Sequence, residues 1–544
     1  MLRWVITLGL CCTALSLDNG LALTPPMGLS TWSVFRSAVN DSLVRELADA
    51  MAAPGGLLDA GYTYLLIDDG WAGDGCTGCA PHRNASGHLV ADAAKFPHGL
   101  RALSDYVRGR GLLFGLWFGH DMCAASNDTA REYKDDDDDD AARDAAFFAA
   151  AGVDALKHDN CVDVPNTTAA VQANYDRYAR LGAALNATGR PVMYDVVLQV
   201  AHARAVPSYD YGYLWSPEVY GRAAVGALGN MWWSLPVNKY NCWSCCVGAS
   251  NENIVDDAKC VDPAGRACRR GLLPMLDAQD NGTPGFDAAG GHWSWGGPGG
   301  WNHLDQLATC VGASWYGPGF TPTEQIAQVS LWAVLASPLI VSFDVRLPMS
   351  DACRRAVTNS RAIAVHQDAL GVPGRRLKNV MAPAPAVPSG TSAAAAAAVV
   401  AAQVWGRPLA GGAVAAVFFN RGEQPANISA SFAELGLGAA VASASALDVW
   451  GGGAATPGVR SPFTATNVEP HGVLFVTLTP ETQTLASATL PVAAAAGSRD
   501  PPAPTCHECA LSGNCAPAGP YCQGCSYDPA VSGYCMNGGC CCNC

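Results

Sequence analysis

The stretch Gly152-Val153-Asp154-Ala155-Leu156-Lys157-His158-Asp159-Asn160-Cys161 joins a short apolar run to a cluster of polar side chains. Residues 155–159 are long enough for a buried strand, and the run ends on a carboxylate. In a closed barrel of parallel strands, such terminal acids converge on one rim. We therefore predict a strand at 155–159 that brings Asp159 to a functional edge.

The same unit of apolar strand, polar turn and amphipathic helix recurs roughly every 35 to 45 residues between residues 21 and 378. This alternation predicts an α/β fold with a parallel sheet wrapped by helices. The predicted strands are 62–69, 112–118, 155–159, 192–197, 230–233 and 338–344. The predicted helices are 43–51, 100–107, 141–150 and 169–185.

The chain changes character after residue 380. A Pro- and Ala-rich linker is predicted at 381–398, so the barrel domain is expected to occupy 17–380. Short apolar runs separated by Gly and Pro then predict a small antiparallel β-sandwich over 399–482. Its strands are expected at 399–405, 413–420, 441–450 and 472–478.

A second linker, 483–505, leads to a cysteine-rich module at 506–544 with ten cysteines. So short a piece lacks an apolar core, and disulfides are expected to hold it together. We expect this module to contact wall or matrix glycans. Thiolate metal binding is the weaker interpretation, since disulfides suit a secreted chain.

The N-terminus is typical of a secretory signal peptide, predicted at 1–16: a basic start is followed by an apolar stretch too short to span a membrane. We predict a secreted protein, with delivery to a lysosome or vacuole as the alternative, and no membrane span. Secretion also suits the 23 cysteines. Seven glycosylation sequons fit the same route: Asn40, Asn84, Asn127, Asn166, Asn186, Asn281 and Asn427.

Charge argues against polyanion partners. The net charge is -14, and 33 basic residues are spread along the chain, so nucleic acid is not an expected ligand. The acidic run at 135–140 is read as the exposed start of a helix rather than as a cation site. Asp68-Asp69 alone is a poor calcium signature, so we expect no metal and no cofactor.

Five motifs between residues 21 and 378 resemble the α-galactosidases of glycoside hydrolase family 27. They are Thr24-Pro25-Pro26-Met27-Gly28, Leu66-Ile67-Asp68-Asp69-Gly70-Trp71, the 152–161 stretch, Gly299-Gly300-Trp301-Asn302 and Leu331-Trp332-Ala333-Val334-Leu335-Ala336-Ser337-Pro338-Leu339-Ile340. The resemblance implies a (β/α)8 TIM barrel, a retaining mechanism, and a terminal α-galactosyl group on an oligosaccharide or glycoconjugate. The segment after the first linker resembles the family's C-terminal domain.

The resemblance also implies residue roles. Asp159 becomes the nucleophile, and Lys157 supplies a positive charge beside it. The alternative interpretation of Asp159 alone is a cap on the following helix. The remaining implied roles are hydroxyl binding by Asp68, Asp69, Lys157 and Asp305, an apolar wall from Trp32 and Trp117, and a disulfide between Cys123 and Cys161.

The chain departs from the family where the proton donor is expected. Val197, Trp233 and Val237 stand where the family has Glu, Arg and the acid/base Asp, and valine cannot donate a proton. A cysteine-containing insertion follows, on the side where barrel loops form the active site. Asp256 and Asp257 within it are the leading replacement acids, followed by Glu218, Asp195 and His303.

Three functions therefore remain in competition. The first is a retaining α-galactosidase whose acid comes from the insertion. The second is a galactoside-binding protein on a disabled barrel. The third is an α-N-acetylgalactosaminidase or another α-glycosidase, because the position of Val197 faces the sugar 2-substituent in the family.

Overall fold

The computed structural model describes residues 19–72, 82–119, 138–159, 167–197, 226–233, 271–278, 296–314, 318–382 and 399–481. It also describes two small hairpins, Gln199–Ala201 with Tyr213–Trp215 and Cys246–Val247 with Ile254–Val255. The expected signal peptide, the second linker after residue 482 and the cysteine-rich module lie outside these ranges, as does most of the first linker.

Eight parallel strands form a single curled sheet in which neighbours in the chain are neighbours in space. The last strand pairs with the first, and an isolated parallel bridge between Leu307 and Val341 joins it to the chain just after the seventh. This is the predicted TIM-type barrel. The strands are β1 Met27–Ser30, β2 Tyr64–Ile67, β3 Leu113–Gly119, β4 Ala155–Asp159, β5 Met193–Val196, β6 Met231–Trp233, β7 Trp301–His303 and β8 Leu339–Val341.

Helices follow most of these strands and cover the outside of the sheet. They are α1 Trp32–Phe35, α2 Asp41–Ala52, α3 Gly99–Gly109, α4 Asp138–Ala151, α5 Thr168–Ala187, α6 Leu272–Ala278, α7 Pro322–Leu335, α8 Asp351–Val357 and α9 Ser360–His366. The acidic run extends into α4, and Asp140 forms an ion pair there with Arg143. Carboxylates in a first turn face the positive end of the helix dipole.

Local sequence sets the helix ends. The Asn40 side chain accepts a hydrogen bond from the Leu43 amide and begins α2. A capping box of Thr321 and Glu324, with Pro322 in the first turn, begins α7. These caps satisfy amides that have no partner within the helix.

The barrel interior changes from apolar to polar along the strands. One layer consists of apolar side chains: Leu66, Ala155, Met193, Met231 and Ile340. Two residues further along the same strands stand Asp68, Lys157, Asp195 and Trp233, which share the inward face because side chains alternate in a strand. The carboxyl end of the barrel is therefore the polar one.

The remaining strands are antiparallel: β9 Arg375–Ala382, β10 Val399–Pro408, β11 Val414–Asn420, β12 Ala426–Ala430, β13 Ala444–Asp448, β14 Thr456–Val459, β15 Phe463–Val468 and β16 Val473–Pro480. Six of them form the second sheet, in the order β9-β10-β11-β16-β13-β14, while β12 pairs with β15. Its own core includes Leu377, Phe418 and Ile428. Because β9 pairs with β10, this sheet begins at Arg375, ahead of the expected boundary at 380.

The second sheet packs directly on the barrel helices. The Trp450 indole donates a 2.8 Å hydrogen bond to Ser330 Oγ on α7. The fully buried Arg407 guanidinium reaches the carbonyls of Ala333, Val365 and His366, at the ends of α7 and α9. A cation suits the negative end of a helix. The two parts therefore share buried polar contacts as well as apolar core.

One disulfide links described residues, between Cys310 after β7 and Cys353 in α8. Its partners are 43 residues apart and were not singled out in the sequence. The pairing implied by the family resemblance, Cys123 with Cys161, lies outside the described residues. Within the described part of the chain, no helix combines the length and apolarity that a membrane crossing requires.

Candidate active site

Asp159 is the last residue of β4, and its side chain remains 24% exposed. The next helix, α5, begins after Thr167, whose own hydroxyl caps the Ala170 amide. The helix-cap interpretation of Asp159 is therefore wrong. The carboxylate is partly exposed at the rim of the barrel.

Lys157 holds two carboxylates together at this rim. Its Nζ lies 3.0 Å from Asp68 Oδ2 and 3.8 Å from Asp159 Oδ2. Burial alone would lower the pKa of Lys157, but the charges of Asp68 and Asp159, the hydrogen bond to Asp68 and the charge of Asp305 together raise it. The ammonium therefore stays charged between β2 and β4.

The Asp159 carboxylate has a second partner on β3. Trp117 Nε1 donates a 3.1 Å hydrogen bond to Asp159 Oδ2. Trp117 is only 3% exposed, so its indole is a buried donor in this structure. Two neighbouring strands thus fix the orientation of one carboxylate. The role of apolar sugar wall remains a prediction.

Asp68 and Asp69 follow β2 and differ in environment. Asp68 is buried, and its amide donates to Thr31 Oγ1 at 3.0 Å. Burial, the nearby charge of Asp68 and a smaller contribution from Asp159 raise the pKa of Asp69 to about 6, against opposing effects of the Gly70 amide and Lys157. Gly70 follows with a φ of +102°, where a Cβ would lie 2.4 Å from Ser37 Cα. The turn therefore needs glycine.

A hydrogen-bond chain that the sequence analysis did not single out supports Asp68 from behind. Gln306 Nε2 donates to Ser30 Oγ at 2.9 Å, and Ser30 Oγ lies 3.4 Å from Asp68 Oδ2. Ser33 Oγ donates to Gln306 Oε1, and the Ser33 amide donates to Ser342 Oγ. The only signal in the sequence was a serine at each strand end: Ser30 is the last residue of β1, and Ser342 directly follows β8.

Trp32 and Asp305 each precede a member of this hydrogen-bond chain in the sequence, Ser33 and Gln306. Trp32 begins α1, directly after β1, and is half-buried. Asp305 is 4% exposed and takes a left-handed backbone with φ 69°. Its Oδ1 accepts from the Gln306 amide at 2.7 Å. Its charge acts on Lys157, so it belongs to the same electrostatic group.

A second polar group lies inside the barrel at β5, β6 and β7. Trp233 Nε1 lies 3.1 and 3.2 Å from the two Asp195 carboxylate oxygens, and His303 Nδ1 lies 3.2 Å from Asp195 Oδ2. Asp195 is 2% and His303 3% exposed. The Trp233 ring centre also lies 5.1 Å from Lys157 Nζ. This second group therefore adjoins the first.

The proton-donor candidates Asp256, Asp257 and Glu218 lie outside the described residues, as does Val237. Val197 is described and buried, and its carbonyl accepts from the Tyr178 hydroxyl. Among the described residues, no cluster of His, Cys, Asp and Glu is arranged to hold a metal ion.

Some of the glycosylation sequons also lie outside the described residues. Asn127, Asn166 and Asn281 fall outside the described ranges. The other four asparagines are exposed: Asn40, Asn84, Asn186 and Asn427.

The arrangement suits attack on a neutral, hydroxyl-rich substrate. The carboxylates of Asp68, Asp69 and Asp159 can accept hydrogen bonds from hydroxyl groups, and the Lys157 ammonium can donate to a hydroxyl oxygen. Carboxylates around one ammonium also favour positive charge that develops on a bound substrate. An oxocarbenium-like transition state carries such charge.

Comparison with known proteins agrees with this geometry. The protein-family model described as "Alpha galactosidase A" matches residues 24–216 and 292–368. The family model described as "Alpha galactosidase C-terminal beta sandwich domain" matches residues 400–478. The gap between the first two segments includes the insertion. Both predicted domains thus have a counterpart.

Relatives match along most of the chain. The α-galactosidase of Cyamopsis tetragonoloba is 28% identical over 85% of this chain and 88% of its own length. Human α-N-acetylgalactosaminidase is 31% identical over 69% of this chain and 77% of its own length. The crystal structure of α-galactosidase I from Mortierella vinacea superposes with a TM-score of 0.61 at 25% identity, covering 85% of this chain and 98% of that one. The chain belongs to the α-galactosidase family, glycoside hydrolase family 27.

Proposed function

We propose that the protein hydrolyses terminal α-galactosides with retention of configuration, using Asp159 as the nucleophile. The observation that carries the proposal is the partly exposed Asp159 carboxylate, held at the end of β4 by Trp117 Nε1 and beside Lys157 Nζ. Family membership and the α-galactosidase relatives supply the substrate class.

The reaction has two steps. An Asp159 oxygen attacks the anomeric carbon while the bond to the leaving oxygen breaks and that oxygen takes a proton from the acid. Water, deprotonated by the same group, then attacks the anomeric carbon of the glycosyl-enzyme and releases the Asp159 carboxylate. Asp68, Asp69, Lys157 and Asp305 hold the galactosyl hydroxyls, and Trp32 and Trp117 border the sugar face.

The test compares wild type with Asp159→Asn on an aryl α-galactoside. The wild type should turn over, and the variant should lose at least about a thousandfold in kcat because its amide is a poor nucleophile. Asp105→Asn on the exposed face of α3 is the matched control and should retain full activity. Normal turnover by Asp159→Asn would remove Asp159 from the mechanism.

Retention is tested separately by NMR of the first sugar released. An α-anomer that appears before mutarotation supports the double displacement. A β-anomer would show direct attack by water and overturn the covalent step. A fluorinated galactosyl fluoride should label the peptide that contains Asp159, as read by mass spectrometry.

We assign the proton donor to the insertion, at Asp257 or Asp256. Both residues directly follow the hairpin strand Ile254–Val255. Asp257→Ala or Asp256→Ala should slow galactosides with poor leaving groups about 10²- to 10⁴-fold and should slow activated aryl galactosides far less. Equal losses on both substrate types, or no loss in either variant, would exclude these residues.

A second candidate activity is removal of terminal α-N-acetylgalactosamine. Human α-N-acetylgalactosaminidase is among the relatives at 31% identity, and the small, buried Val197 stands where the family's 2-substituent contact is expected. The ratio of kcat/KM on matched aryl 2-hydroxyl and 2-acetamido substrates decides between them. Galactose binding without turnover of either substrate at any pH would support the sugar-binding protein instead.

We further propose that the protein is secreted and N-glycosylated and that its cysteine-rich module contacts wall or matrix glycans. The four exposed sequons support the glycosylation. When the protein is expressed in a eukaryotic host, it should be secreted into the culture medium. Its mass should fall when an N-glycan-removing enzyme is added. Removal of residues 506–544 should reduce retention on insoluble wall glycan while leaving aryl galactoside hydrolysis unchanged.

A further inference from the structure

The buried group of Asp195, Trp233 and His303 has no part in the mechanism proposed above, although it adjoins Lys157. Asp195 accepts from Trp233 Nε1 through both oxygens and bonds His303 Nδ1. The Trp233 and His303 rings also pack edge to face, with centres 4.8 Å apart. Three strands therefore close around one carboxylate.

Strand register makes Asp195 a natural partner for Lys157. Lys157 on β4 and Asp195 on β5 are paired positions of neighbouring parallel strands. The side chains of paired residues in adjacent strands point to the same face of the sheet, and the two backbones lie roughly 5 Å apart. A buried ammonium and a buried carboxylate at that spacing attract each other strongly because there is little water to screen them.

Lys157 nevertheless pairs elsewhere. Among the described residues, its ammonium forms ion pairs with Asp68 and Asp159, and none with Asp195. The Asp195 carboxylate is occupied instead by the N–H groups of Trp233 and His303. Removal of these donors would leave a buried carboxylate without partners next to the nearest ammonium, and such a group seeks a new partner.

We propose that His303 and Trp233 are positioning residues that hold Asp195 away from Lys157, so that the ammonium stays on Asp68 and Asp159. The inference rests on the proposed function of Asp159. It assigns Asp195 no contact with the substrate. The carboxylate is a competitor for Lys157, and its two neighbours restrain it.

The proposal makes a rescue prediction that distinguishes it from a simple packing role. His303→Leu removes the Nδ1 donor, and kcat on an aryl α-galactoside should fall roughly 10- to 100-fold as Lys157 moves to Asp195. The double variant His303→Leu, Asp195→Asn has no competing charge and should regain most of that loss. The kcat of Asp195→Asn alone should fall by no more than about threefold. His303→Asn, which keeps an N–H donor, should retain most activity.

The concentration of active sites is titrated for each variant, and rates are compared per active site. Thermal unfolding curves choose an assay temperature at which every variant is folded. If His303→Leu does not fold, Trp233→Phe with and without Asp195→Asn gives the same comparison. A crystal structure of the impaired single variant should show Lys157 Nζ within 4 Å of an Asp195 oxygen. This readout does not depend on activity.

The outcomes are distinct. An Asp195→Asn loss as large as that of His303→Leu, with no rescue in the double variant, would overturn the inference and give Asp195 a direct role. Unmoved Lys157 in the variant structure would also overturn it. Absence of α-galactoside turnover by the wild type would instead refute the proposed function, while the structural comparison would still test the restraint on Asp195.

Discussion

Trp117 Nε1 lies 3.1 Å from Asp159 Oδ2, so a buried indole on β3 orients the carboxylate that ends β4. The two residues belong to adjacent strands, with Trp117 paired to Lys157 and Gly119 to Asp159 in the register. A rigid aromatic donor holds the carboxylate with little loss of side-chain entropy. This contact gives the first prediction.

Trp117→Phe removes the donor while keeping the aromatic bulk. A hydrogen bond to a charged group is worth about 1.5 to 3 kcal/mol, so kcat/KM should fall roughly 10- to 100-fold. Trp117→His, which keeps a ring N–H, is the matched comparison and should lose less. Equal rates for Trp117→Phe and wild type on aryl galactoside would show that the indole does not orient the nucleophile.

The raised pKa of Asp69 predicts a trade of stability for function. The folded state binds its proton more tightly than the unfolded chain, because the pKa rises from 3.8 to about 6. Its contribution to stability is therefore greatest below pH 3.8 and falls as pH rises through 6. Asp69→Asn should stabilise the protein at pH 7.5 by about 1 to 3 kcal/mol and abolish turnover.

Denaturant unfolding of wild type and Asp69→Asn at pH 4 and pH 7.5 measures this difference. The advantage of the variant should shrink at pH 4, where the wild-type carboxyl is protonated. A constant advantage across both pH values would contradict the assignment. Asp59→Asn, at an exposed position, serves as the control for the loss of one carboxylate.

His471 links the second sheet to α7 and predicts a pH trend of the same direction as that of Asp69, since its pKa is also raised. Its ring bonds Glu324 at 2.7 Å and Glu423 at 3.0 Å. Burial opposes the charge, but the hydrogen bonds and charges of both carboxylates raise the pKa of His471 overall. Its stabilisation is present below pH 6.5 and is lost as pH rises through the raised pKa.

His471→Asn should therefore destabilise the protein at pH 5.5 by about 1 kcal/mol or less, since the ring is partly exposed, and should have a smaller effect at pH 9. Asparagine tolerates the left-handed backbone at this position, φ 59°. Urea unfolding at the two pH values checks the sign. A larger loss at pH 9 would contradict it.

Arg407 predicts a large effect on stability that does not change with pH near neutrality. Its guanidinium donates to the carbonyls of Val372, Val365 and His366 within 3.0 Å, with Ala333 at 3.2 Å. Burial lowers the pKa of Arg407 to about 10, which still leaves it charged near neutrality. Arg407→Met should cost about 3 to 5 kcal/mol, because several buried carbonyls lose their partners.

Arg421→Met is the matched control from the same sheet. Arg421 pairs with the half-exposed Asp277, and its loss should cost less than about 1 kcal/mol. Similar unfolding free energies for the two variants would show that the Arg407 contacts contribute little.

The sequence predicted the strands that are long or strongly apolar. Six barrel strands were expected, and 155–159 matches β4 to the residue. The two that were missed, β1 and β7, contain four and three residues. Glycine or polar residues interrupt these two runs, whereas the equally short β6 and β8 are entirely apolar, so β1 and β7 gave no apolar signal.

The site was predictable where one strand end carries several polar groups. Lys157 and Asp159 share β4, and Asp68 lies directly after β2, so convergence at one rim follows from barrel geometry. Contacts between distant positions were not predictable. Asp195 and His303 are 108 residues apart, and their pairing depends on the shear of the closed sheet. The hydrogen bond from Trp117 to Asp159 was likewise not predictable, because it depends on the positions of individual side-chain atoms.

The Arg407 guanidinium belongs to the second sheet but binds carbonyls of the barrel helices, so the barrel cannot simply be produced without that sheet. A fragment that stops at residue 380 would expose the helix ends that this side chain covers and would strip Trp450 from Ser330. We expect such a truncated barrel to aggregate rather than to yield a minimal enzyme. Swapping in a homologous second domain should succeed only when an arginine and a tryptophan arrive at the matching positions.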